Sequence, residues 1–130
     1  MEYGMSRTIA RPFDEVNADV RTALTGHGFG IVSEIDMQAT LRNKIGVEID
    51  SQIILGVCNP QYAHRSLQIE PSIGLLLPCN VVIRKTDAGT VVEMINPQMM
   101  VQITDNPEMS QIANEVTEKL AAALAALKQA

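Results

Sequence analysis

Aromatic side chains are scarce: Tyr3, Phe13, Phe29 and Tyr62 are the four in 130 residues, and there is no tryptophan. A chain so poor in rings has little on which to stack nucleotide bases. Basic charge is also short. Ten Lys and Arg against fifteen Asp and Glu leave a formal charge of −5 and a pI near 4.9, the wrong sign for a nucleic-acid footprint. Long apolar runs are missing too. The longest uncharged stretch near the middle, Pro71 to Ile83, has thirteen residues interrupted by Pro78, where a membrane helix needs about 20. Residues Met1 to Arg11 contain Glu2 and Arg7 and lack the apolar core of a secretory signal. These absences set the expectation of a cytoplasmic protein with neither nucleic acid nor membrane as partner. There is no glycine-rich phosphate loop, no Ser/His/Asp signature and no closely spaced CxxC pair. The two cysteines, Cys58 and Cys79, are too few for a disulfide scaffold, yet enough for one bond, one thiol pair or half a metal site.

What remains is an ordinary globular composition, 46% hydrophobic and 19% charged. No repeat or Gly/Ser-rich linker divides it, so residues 1–130 read as a single domain able to bury a core without staples. Residues Glu2 to Ile9 suit a first strand that stops before Pro12. Phe13, Val16, Val20 and Leu24 recur at helical spacing, and Gly26-His27-Gly28 ends that helix, with His27 a turn residue. Phe29 to Ile35 alternates as a strand, with Phe29, Ile31 and Ile35 on one face. Asp36 caps a short helix through Met37, Leu41 and Ile45, closed by Gly46.

Gln52 to Val57 is a buried strand. At Cys58-Asn59-Pro60 the signal changes: Asn is a favoured N-cap and Pro a favoured first helical residue, so a helix runs from Pro60 to about Gln68. Pro71 to Leu77 is an apolar connection. Cys79 to Lys85 and Thr90 to Ile95 form a hairpin about Thr86-Asp87-Ala88-Gly89. Met99 to Ile103 reads as another short extended piece. Asn106-Pro107 then opens a long helix whose stripe includes Met109, Ile112, Val116, Leu120, Leu124 and Leu127. Ala121, Ala122 and Ala125 lie on its other face, low in bulk and open to a partner subunit. The order is that of an α+β fold, a mostly antiparallel sheet with helices on one side.

The phrases Gly28-Phe29-Gly30, Glu34-Ile35-Asp36, Leu55-Gly56-Val57-Cys58-Asn59-Pro60, Gly74-Leu75-Leu76-Leu77-Pro78-Cys79-Asn80-Val81 and Asn96-Pro97 span nearly the whole chain. Together the sequence resembles the family catalogued as domain of unknown function 302. The resemblance implies a β-α-β4-α domain similar to the TATA-binding-protein-like fold, often dimeric. It implies no activity, because that family has none assigned, and a fold alone supplies none.

Chemistry can be placed at a few residues. Cys58 precedes a helix N-terminus, where free N–H groups favour a thiolate. Cys79 follows a proline twenty-one residues later, and the intervening helix and apolar turn can bring the sulfurs together. Neighbouring sulfurs would form a reversible disulfide, share a soft metal ion, or act as attacking and resolving thiols. Separate ones would be small buried hydrophobes. Asn59 serves as a cap or a ligand contact, and Asn80 as a loop tie or a ligand contact. His64, six residues past Cys58, is a candidate base for a thiol or a solvated helix residue. Glu34 and Asp36 share one strand face, as an acid/base pair would. Met99 and Met100 as strand neighbours point oppositely, which suits packing. No cofactor or resident metal is specified. Two readings follow: a small-molecule pocket lined by a Cys58/Cys79 thiol pair, working on a sulfur, redox or electrophilic ligand, or a non-catalytic homodimeric module binding an apolar ligand or protein.

Overall fold

The computed structural model describes residues 3–129, so Glu2 of the expected first strand lies outside the described residues. The chain runs β1 (Gly4–Ile9), α1 (Phe13–Gly26), β2 (Gly30–Asp36), α2 (Met37–Ile45), β3 (Gln52–Cys58) and α3 (Pro60–Ile69). A 3-10 turn, Pro71–Leu76, leads to β4 (Cys79–Thr86), β5 (Gly89–Ile95) and α4 (Gln98–Thr104). A second 3-10 turn, Pro107–Met109, feeds α5 (Ser110–Ala125). Five antiparallel strands form one sheet in the order β1-β5-β4-β3-β2. The first strand therefore closes beside the last, and the α+β architecture is as the sequence pattern indicates.

Strand alternation sends one set of side chains inward. Ile9, Val92, Met94, Ile83, Val81, Leu55 and Val57 are almost fully buried on that face, beneath Val16, Val20 and Leu24 of α1 and Ile112, Val116 and Leu120 of α5. Each such side chain stabilises the fold by about 1.5–3 kcal/mol relative to exposure, so this face dominates the core. Arg7 of β1 also points inward. Its guanidinium donates to the carbonyls of Leu124 (2.7 Å) and Leu127 (2.8 Å), placing positive charge at the negative end of α5.

Two elements depart from the sequence reading. A register shift between Ile31 and Ser33 breaks the expected β2 alternation: Ile31 stands opposite Val57, whereas Ile35 stands opposite Ile54 on the other face. One extra residue flips everything after it, and so Ile35 is half exposed. Met99 to Ile103 is not extended but lies within α4. Five residues with one polar position, Gln102, do not distinguish the periods, and packing of Met100 beside Ile73 and Met109 selects the helix.

Candidate functional site

The site is built where β3 gives way to α3. Asn59 holds this junction with both ends of its amide. Its oxygen accepts from the N–H groups of Gln61 (3.1 Å) and Tyr62 (3.3 Å), and its nitrogen donates to the Gly28 carbonyl (3.0 Å). The cap thus ties α3 to the turn before β2, where Gly28 adopts a positive φ of 89°. Pro60 supplies the first helical residue without wasting a donor.

Beneath α3 lies a cavity of about 30 Å³ that continues to the surface. Phe29, Val57 and Cys79 contribute from the sheet side, Ile112 and Val116 from α5, Tyr62, Ala63 and Ser66 from α3, and Leu77 and Met100 from the segments that follow; Cys58 and Asn59 complete it. A volume of that size admits one or two water-sized groups. The lining carries no charged side chain. Its polar groups are the two thiols, the Ser66 and Tyr62 hydroxyls and the Asn59 amide. Ser66 is buried, and its hydroxyl donates to the Tyr62 carbonyl at 2.7 Å. Arg65 sits over the Tyr62 ring, 5.7 Å from its centre, and reaches Glu115 of α5 at 3.6 Å, which clasps α3 to α5 beside the cavity.

The cysteines do not make the expected pair. Both are free. In the β3–β4 ladder the residue opposite Cys79 is Val57, and Cys58 is one step out of register. Successive strand residues diverge, so Cys58 leaves β3 in a different direction from Val57 and meets the cavity only at its edge, while Cys79 stands in its wall. Cys79 is buried in the core, whereas Cys58 is partly exposed at the cavity's rim. Burial pushes the Cys79 thiol up to about 11, with a smaller contribution from Cys58. A thiol in that state is neutral at physiological pH and a poor nucleophile.

The remaining candidates disperse. His64 is exposed on α3 and does not line the cavity. Asn80 is exposed on the opposite sheet face, in shallow grooves with Val82 and Ile95. Glu34 and Asp36 share a face as expected but belong to other structures. Arg21 of α1 forms an ion pair with Glu34 and, by hydrogen bonding, holds its carboxyl below the usual range. Asp36 caps α2, accepting from the Ala39 N–H at 2.9 Å. Among the described residues no group of three or more His, Cys, Asp or Glu is arranged to hold a metal, and no helix is long and apolar enough to cross a membrane. Sequence reasoning missed Tyr62, Ala63 and Ser66, although their spacing on a helix begun by Pro60 puts them on one face.

The fold is a small α+β domain with an apolar cavity beneath α3. The family described as Domain of unknown function DUF302 matches residues 5–127, and the chain belongs to it. A crystal structure of an uncharacterized conserved DUF302 protein from Bacillus stearothermophilus is similar throughout, with a TM-score of 0.89 and 27% identity. That match covers 96% of this chain and 98% of the other. No curated protein matches the sequence.

Proposed function

We propose that this protein is a binding module whose cavity beneath α3 receives a small uncharged group, with Cys58 and Cys79 as lining rather than as a reactive pair. The observation that carries this reading is the lining itself: apolar side chains and neutral polar groups, with no ionised partner for a charged ligand. Burying a charge there would be unfavourable. The high position of the Cys79 thiol supports the same view, since a thiol enzyme needs a thiolate near neutral pH. The ligand that fits places only a methyl- or ethyl-sized end inside, with the rest of a short chain and a neutral polar head at the open mouth beside Asn59 and Tyr62. Titration with 1-butanol, followed by amide NMR, tests the reading. Shifts are expected at Phe29, Val57, Ala63 and Val116, and Ala63→Leu, which fills the space, is expected to abolish them.

A second reading concerns a second copy of the chain on the outer sheet face. Ile35, Ile54, Val82, Val91 and Ile95 lie there only partly buried. The charges on this face cancel, Arg84 donating to Glu93 at 2.8 Å across β4 and β5. A chain of net −5 associates with itself most readily through such a neutral patch. Five strands of about seven residues present a plane of about 500 Å² per copy, and two such faces together reach the lower range of stable interfaces, about 1,000 Å². Sedimentation equilibrium is expected to show a dimer, and Val82→Asp a monomer. A monomer for the unaltered chain at several hundred micromolar would contradict it.

A further inference from the structure

Two separate groups of buried side chains meet at the cavity. The main one lies between the sheet, α1 and α5. The smaller one consists of Ile73, Met100 and Met109 of the two 3-10 turns and α4, with Leu76, Leu77 and Val101 packed against it, and Ile69 of α3 touches both groups. Leu77 and Met100 from this smaller group form one wall of the cavity, and Val57, Cys79 and Val116 from the main group form another. The cavity therefore sits on the seam between them.

The two sides of that seam are built differently. The main side is laddered by strand pairing. The smaller side consists of helical pieces of six, seven and three residues, lengths at which a helix has little stability of its own. Its backbone hydrogen bonds close local turns: Ile73 N–H to Glu70, Leu77 N–H to Gly74, Met100 N–H to Pro97 and Met109 N–H to Asn106. Gln98 donates to Asn114 of α5 at 2.7 Å, while Asn106 donates to Glu70 at 3.2 Å and so ties the two stretches of the smaller side to each other. Leu75 and Ile103, 87% and 60% exposed, add apolar surface without adding packing. Segments with few buried contacts and local hydrogen bonds open below the global unfolding free energy.

We propose that residues 70–77 and 97–109 form a cap that opens as one unit, moving Leu77 and Met100 away from Val57 and Cys79 and admitting ligand to the cavity. This rests on the binding reading for its purpose but not for its test, which uses no ligand. Cys79, buried at the seam, reports the opening. In a Cys58→Ser background, its alkylation by iodoacetamide is followed by mass spectrometry across sub-denaturing urea. Opening of the cap predicts a rate nearly independent of urea before the unfolding transition. Met109→Ala, in the cap, is expected to raise that rate by at least about tenfold, whereas Val92→Ala, in the sheet, leaves it nearly unchanged. A rate climbing with the full urea dependence of global unfolding would overturn the proposal. So would labelling as fast as in the unfolded chain, which means a permanently open cavity. Should Met109→Ala not fold, the urea series on Cys58→Ser alone decides by the same criterion. Butanol binding with no cap opening, or the reverse, separates this proposal from the function it serves.

Discussion

Val57 of β3 stands directly opposite Cys79 of β4, and this single register relation decides what the two cysteines do. It points Cys79 into the core beside Val57 and leaves Cys58 one step out of register, at the cavity's rim. Mild oxidation with a diamide reagent is therefore expected to leave the monomer without an internal disulfide. Intact mass under non-reducing conditions checks this, a loss of two hydrogens per monomer being the contrary result.

The buried Cys79 thiol also predicts an alkaline signature. Its folded value, about 11, lies above the ordinary 9.0, so the unfolded chain releases the proton first as pH rises. Stability is then fully present below about pH 9 and falls between about 9 and 11, by about 2–3 kcal/mol at most. Cys79→Ala removes this component. The difference between the two proteins in urea midpoint is expected to shrink across that window.

Glu34 predicts a smaller effect at the acid end. Arg21 holds its carboxyl below the usual range, so the pair's contribution is present above about pH 4.5 and is lost as pH falls through the folded value. Its side chain is 47% exposed, which limits the worth of the pair to about 0–1 kcal/mol. Glu34→Gln is expected to cost no more than that at pH 7 and nothing at pH 2, as read from denaturation midpoints.

Asn59 joins a helix cap to a distant turn, so its loss is felt twice. Asn59→Ala is expected to destabilise the fold by about 1–2 kcal/mol. Asn59→Asp keeps the acceptor for Gln61 and Tyr62 but not the donor to Gly28, and is expected to fall between. Thermal unfolding orders the three.

Gly56 admits no side chain. A Cβ there would collide with Ser33 Oγ and lie 2.6 Å from Pro78 Cγ. Gly56→Ala is expected to destabilise by about 1–3 kcal/mol through overpacking, and Ser33→Ala, which removes one obstacle, is expected to recover part of it.

Much of this was readable in the chain. The Cys58-Asn59-Pro60 phrase specifies a cap and a helix start by local chemistry, and the structure has both. The Asp87-Ala88 turn between β4 and β5 is likewise local. Register was not readable. Whether Cys58 or Val57 faces Cys79 depends on pairing between strands twenty residues apart, and the shift at Val32 that exposes Ile35 has no local signature in the sequence. The cavity is half visible in the sequence: Cys58, Cys79, the short helix after Pro60 and the turn at residues 71–77 mark its surroundings, but which α3 side chains line it depends on which side of that helix packs inward. His64 looked near in sequence and lies on the wrong side.

The central claim is that the cavity takes an uncharged group. The most direct measurement is an NMR titration of one protein sample series with 1-butanol, butyrate and butylammonium, probes of matched chain and different head charge. Saturable millimolar binding of 1-butanol is expected at Phe29, Val57 and Val116, with neither ion shifting those amides. Binding of butyrate or butylammonium at these residues as tight as that of 1-butanol, or no saturable shift with any of the three, would contradict it.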